Sequence, residues 1–193
     1  MKQTYILILL TSLLISCESR KTIEVNQIKS KEMVTILPNL KKIKDSVPIC
    51  VPLEFEIKIN SPVYYINWFY SENNKLLENS FDYLVYNRQN RIKPLSQLDF
   101  DESFSERSTI IILKKRNYLI SKKKMWELLK KYNIDKSLDG LKFGDTIKIT
   151  TYDKFRSQNK YFINDLNKTN DSVKFRGMKK DGKFFYLSKK IIW

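Results

Sequence analysis

Residues 53–60 read Leu53-Glu54-Phe55-Glu56-Ile57-Lys58-Ile59-Asn60. Apolar and polar residues alternate across all eight positions. Successive side chains of an extended chain point to opposite faces, so this is the signature of a half-buried strand. Asn60-Ser61-Pro62 punctuates it. Val63 to Tyr70 (VYYINWFY) then reads as a second strand, aromatic on both faces. Ser71 to Lys75 forms a turn, and Leu76-Leu77 with Phe81 to Tyr86 gives a third strand or a broken pair.

Further along, residues 87–107 are polar and irregular, and this is the longest loop the sequence predicts. Thr109 to Leu113 is a short apolar strand. Lys114-Lys115-Arg116-Asn117 reads as a turn that lets Tyr118 to Ile120 pair back. Ser121 is placed to cap a helix over about 122–133, where Met125, Leu128, Leu129 and Tyr132 form one apolar stripe and Lys130 and Lys131 suit the negative end of the helix dipole. Thr146 to Tyr152 alternates again, whereas Ser157 to Asn170 is polar apart from Tyr161-Phe162-Ile163 and Leu166, with no helix read there. The chain closes with a hairpin of Ser172–Lys180 and Lys183–Leu187 around Asp181-Gly182, a favoured type I′ pair, and with a docked tail, Ile191-Ile192-Trp193. About seven short strands and one helix without a βαβ rhythm predict a mainly β protein: an antiparallel sandwich or barrel-like sheet with one inserted or packed helix at about 122–133. Ile57–Pro62 and Leu141–Ile147 resemble two edges of an immunoglobulin-like sandwich, a likeness that bears on fold alone.

The N-terminus carries a different signal. Lys2 is a positive start, Tyr5 to Leu14 is an apolar run too short to cross a bilayer as a helix, and Leu14-Ile15-Ser16-Cys17 follows. This segment resembles the signal peptide and lipobox of bacterial lipoproteins. The resemblance implies removal of residues 1–16, diacylation of Cys17 and acylation of its new amino group. Two or three chains hold a protein on a membrane where one chain does so only reversibly. The implied cofactor content is that covalent lipid alone, and the implied location is the cell membrane or outer membrane, facing periplasm or exterior. Residues 17–46, Lys-rich with scattered apolar positions, read as the lipidated cysteine and a flexible tether, with Met33 to Leu37 the part that could turn helical or pack as a first strand, and 47–193 as one β-rich domain.

Composition narrows the chemistry. The 193 residues carry 36 basic and 21 acidic side chains, a net charge of +15, and no His. The absence of His removes Ser-His-Asp and Cys-His nucleophile systems and most zinc sites. The four Gly form neither a phosphate loop nor a dinucleotide fingerprint. With Cys17 lipidated, Cys50 has no intrachain partner, and its setting Pro48-Ile49-Cys50-Val51-Pro52 is that of a small buried hydrophobe. Asp99, Asp101 and Glu102 are the candidates for carboxylate chemistry or for Ca²⁺; their spacing matches no defined calcium loop, and a solvated acidic loop balances a basic chain equally well. Tyr65, Trp68 and Tyr70, together with Phe184 to Tyr186, offer stacking platforms or core rings. Arg88 and Arg91 lie in the long loop. Lys114–Lys131 and Ser172–Lys190 are basic clusters whose expected partners, at this address, are anionic headgroups or an acidic protein and not nucleic acid.

The expectation is therefore a membrane-anchored, non-catalytic domain that binds a protein partner or cell-wall glycan through Tyr65, Trp68, Tyr70, Arg88, Arg91, Asp99, Asp101 and Glu102. Two other readings stay open: an immunity protein that neutralises an interbacterial toxin, and a carboxylate-based enzyme acting on glycan.

Overall fold

The computed structural model describes residues 21–37, 45–77, 83–95, 108–135, 142 and 144–193. Two antiparallel sheets pack face to face, with three short helices at their margins. The first sheet holds β1 (Ile23–Ile28), β2 (Met33–Ile36), β3 (Ser46–Ile59), β6 (Tyr83–Asn87), β7 (Thr109–Ser121) and β8 (Ile147–Thr151), in the order β6-β7-β3-β2-β8 with β1 also paired to β3. The second holds β4 (Val63–Glu72), β5 (Lys75–Leu77), β9 (Ser172–Lys179) and β10 (Phe184–Lys190), in the order β10-β9-β4-β5. The helices are α1 (Lys122–Lys131), α2 (Tyr152–Gln158) and α3 (Lys160–Asn167).

The alternating stretch sits in the longest strand. β3 runs for 14 residues, and its odd-numbered side chains, Val47 through Ile59, are all buried between the sheets. Pro48 and Pro52 do not stop it, for a reason visible in the register. The carbonyl of Pro48 accepts from Leu37 N–H and Asn60 N–H donates to Thr22 O, so even-numbered backbone groups face β1 and β2. β2 pairs with Ile49 and Cys50, and the β1 ladder covers Glu54 to Ile59. Pro52 therefore aims its missing N–H into the gap between two partner strands, and Pro48 lies at the end of the β2 ladder, where its carbonyl still accepts from Leu37 N–H and only the reciprocal bond is given up.

Three expectations are corrected. The segment read as a tether enters the sheet at Ile23: Ile23 and Val25 are buried, and β1 pairs with β3 along its whole length. Its alternation covers too few residues to stand out. Lys114–Asn117 is no turn, since β7 is one 13-residue strand paired with β3 from Thr109 to Ser121. And 157–170 is not simply a polar stretch. α2 and α3 bury Tyr152 with Phe155 and Ile163 with Leu166, pairs three residues apart that are too short to read as a stripe.

Turn chemistry also moves. Gly182 alone has positive φ in the last hairpin, and Lys179 pairs with Lys183 around Lys180-Asp181-Gly182, a three-residue loop closed by Gly182 N–H donating to Lys179 O. The type I′ pair is Asn73-Asn74, both at positive φ, between the partners Glu72 and Lys75. The capped helix is as expected: Ser121 Oγ accepts from Lys124 N–H at 3.2 Å, and Met125, Leu128 and Leu129 are buried. No helix among the described residues is long and apolar enough to cross a membrane.

Candidate functional site

The outer face of the four-stranded sheet carries the most exposed rings of the strand framework. On β10, Phe185 and Leu187 turn inward, which forces Phe184 and Tyr186 outward, 53% and 71% exposed. The register sets Tyr186 beside Arg176 and Asn67, Ser188 beside Lys174 and Phe69, and Phe184 beside Met178 and Tyr65. The Arg176 guanidinium lies 5.7 Å from the Phe184 ring centre and 5.9 Å from that of Tyr186. Such cation–π contacts hold the arginine over the face without neutralising it. Phe69, Leu76, Lys174, Arg176, Tyr186 and Ser188 line an open groove of about 390 Å³. No carboxylate pairs with Arg176 or Lys174 among the described residues.

The expected binding residues are dispersed. Tyr65 borders this face, half-buried. Trp68 points the other way and meets Tyr83 edge to face at 6.0 Å between the sheets. Tyr70 is fully buried, so it cannot serve as a surface platform. Arg88 and Arg91 lie over the outer face of the six-stranded sheet, where they pair with the polar positions of β3: Arg88 Nε with Glu56 at 3.1 Å, and Arg91 Nη2 with the fully buried Glu54 at 2.8 Å. Ser30 Oγ donates to the other oxygen of Glu54 at 2.7 Å. Both arginines thus complete a structural charge layer. Asp99, Asp101, Glu102 and Cys17 lie outside the described residues. Cys50 is buried, as its apolar flanks predict.

A polar cluster between the sheets escaped the sequence reading. The inward row of β7 changes from Ile110 and Ile112 to Lys114, Arg116 and Tyr118. Tyr70 Oη donates to Asp171 Oδ2 at 2.5 Å and Tyr118 Oη approaches the same oxygen at 3.4 Å. Arg116 pairs with Glu72 and its guanidinium lies 4.8 Å from the Tyr70 ring centre. Burial, followed by the mutual repulsion of the two phenolates and the neighbouring Asp171, pushes the Tyr70 hydroxyl far above its ordinary value. Burial and then Asp171 raise Tyr118 likewise. Burial alone would lower Arg116, but Tyr70, Glu72 and Tyr118 outweigh it and its pKa rises. These shifts make the hydroxyls weaker acids, the opposite of what a general acid needs near neutrality. The cluster can fix the two sheets against each other, and the surface available to a partner is the aromatic and cationic one.

Comparison of the chain with known family models, with curated proteins and with solved structures finds no match.

Proposed function

We propose that this chain is a lipid-anchored protein of the bacterial envelope that works by binding: it holds an acidic protein partner on the outer face of its four-stranded sheet. The observation that carries the reading is the pairing of exposed Tyr186 and Phe184 with Arg176, a cation that meets rings and no carboxylate among the described residues. Tyr and Arg are residue types that concentrate binding energy at protein interfaces: Tyr brings a large rigid ring with a polar end at low entropic cost, and Arg a planar guanidinium that can grip a carboxylate through two hydrogen bonds. An acidic partner would supply the missing counter-charge to Arg176 and Lys174 and would be drawn in by the basic surface. The anchor part of the reading rests on Lys2, the apolar run and Leu14-Ile15-Ser16-Cys17.

The experiment is a pull-down from envelope extract with the tagged chain, alongside Arg176→Glu and Tyr186→Ser. One stoichiometric acidic protein, retained by the parent and lost by both variants, is the expected result; a toxin in that position would identify the chain as an immunity protein. Retention of cell-wall glycan alone, or a partner indifferent to both substitutions, overturns the assignment to this face.

A further inference from the structure

The first described residues and a basic, aromatic tip lie at the same end of the sandwich. β1 begins at Ile23, and Asn60 ties down the residues before it: its N–H donates to Thr22 O at 2.9 Å and its side-chain amide to Lys21 O at 3.3 Å. Two residues on, Pro62 O accepts from Lys180 N–H at 3.1 Å, which brings in the β9–β10 loop. Thr22 lies only five residue steps beyond Cys17. Fully extended, they reach about 18 Å at most. A lipid on Cys17 therefore leaves this end of the body within about two Debye lengths of the headgroups, and the body has no long leash.

The end is built for such a neighbour. Among the described residues, Lys21, Lys58, Lys179, Lys180 and Lys183 gather there against Glu24 and Asp181, which are themselves engaged by Lys58 at 4.0 Å and Lys183 at 3.7 Å. Tyr64, 47% exposed, lies under the Lys180 ammonium at 6.0 Å, and Phe184 projects beside it on the adjacent strand pair. Tyrosine at the headgroup level and lysines above anionic lipid are both favourable, the latter by roughly fivefold in binding for each lysine near the surface. The opposite end, where Lys122 N–H donates to Asp45 O and α1 begins, is the far end of 14-residue β3, roughly 40 Å away at about 3.3 Å per residue.

We infer that the Lys179–Lys183 loop, with Tyr64, docks onto anionic phospholipid headgroups of the membrane that holds Cys17, and that this contact stands the sandwich on end with its bare sheet face turned sideways to meet a partner. The inference rests on the lipid anchor proposed above, and the test separates the two. The full chain is produced in bacteria so that it is processed, carrying an environment-sensitive fluorophore at Asp181→Cys or, as the far-end control, at Lys123→Cys. It is reconstituted in phosphatidylglycerol–phosphatidylethanolamine vesicles containing a headgroup-level quencher, and acylation of Cys17 is read by mass spectrometry. The expected result is quenching several-fold stronger at 181 than at 123, reduced to the far-end level by Lys179→Ser/Lys180→Ser/Lys183→Ser or by vesicles of zwitterionic lipid alone. Equal quenching at both sites in an acylated protein overturns the docking while leaving the anchor intact. An unacylated Cys17 overturns the anchor, and the docking with it.

Discussion

The two sheets treat their outer faces differently. On the six-stranded sheet every charged position of β3 is answered: Glu54 by Arg91 and Ser30, Glu56 by Arg88, Lys58 by Glu24. On the four-stranded sheet Arg176 and Lys174 face outward among Phe184, Tyr186 and Leu76 with no ion pair among the described residues. Along β3 the first face has its counter-charges within the chain, whereas Lys115 of β7 and Lys148 of β8 form no ion pair among the described residues. On the proposed reading the second face takes its counter-charge from a partner, and its unpaired Arg176 among exposed rings, more than the overall charge of +15, is what supports that proposal.

The first face gives the largest expected effect. Arg91→Ala leaves Glu54, fully buried, with a single hydroxyl partner. Removing one member of a buried pair costs about 3 kcal/mol, because the remaining charge stays desolvated. Urea unfolding should show a loss of that order, and Glu54→Gln in the Arg91→Ala background should recover part of it. No loss would mean that Glu54 is not held in the way the geometry requires, and the contrast between the faces would fall.

A second effect concerns charge held between the sheets. Tyr70 and Tyr118 have hydroxyls raised above the ordinary value of about 10. The sign follows from proton counting. Below pH ~10 both states hold these protons, and the stabilising contribution is complete. Above it the unfolded chain releases them and the folded chain does not, so stability falls by about 1.4 kcal/mol per pH unit for each tyrosine, about 2.7 for the two. A stability series from pH 9 to 11 should bend downward, with Tyr132 and Tyr152, also raised by burial, adding to the slope, and Tyr118→Phe should remove one tyrosine's share of it. A flat profile would place the hydroxyls in solvent.

How much of this was legible in the chain depends on how each residue signals its surroundings. Leu53–Asn60 announced its strand because one face is uniformly apolar, and Ser121 announced its helix because a capping hydroxyl precedes a clean stripe. Lys114 and Arg116 misled because they point inward, where sequence patterning expects carbon; Glu72 and the Tyr70 ring beside Arg116, and the Tyr70 and Tyr83 rings beside Lys114, between 31 and 46 positions away in the chain, help make the burial tolerable. Tyr64–Tyr70 was ambiguous for a related reason. A strand with rings on both faces has no polar side to orient it, so Tyr70 in the core and Tyr64 in solvent look alike. The bare face was half legible: Phe184-Phe185-Tyr186 had to expose at least one ring, but the partnership with Arg176 is a cross-strand fact.

The strand pair that supports the bare face has its own weak point. A Cβ on Gly177 would run into the Phe185 ring and the carbonyl oxygen of Tyr65. Overpacking of this kind costs typically 1–3 kcal/mol, so Gly177→Ala should lose about 2 kcal/mol in thermal or urea unfolding. Phe185→Leu in the same chain should return only part of it, since the contact with the strand backbone remains. Full recovery would put the whole clash in the ring.

The smallest effect on stability is the one that sharpens the contrast most. Arg176→Glu and Tyr186→Ser alter side chains that lie on the surface and complete no ion pair among the described residues, so each should move the unfolding free energy by no more than about 0.5 kcal/mol, although either would abolish partner capture. Arg88→Glu, the matching charge reversal on the six-stranded sheet, sets a carboxylate against Glu56 and should lower stability by up to about 1 kcal/mol while leaving capture intact. Measured side by side, the variants separate a charge used for folding from a charge used for recognition. If Arg176→Glu destabilised the domain as much as Arg88→Glu does, the outer cation would be part of the fold after all, and the two faces would differ only in which residues cover them.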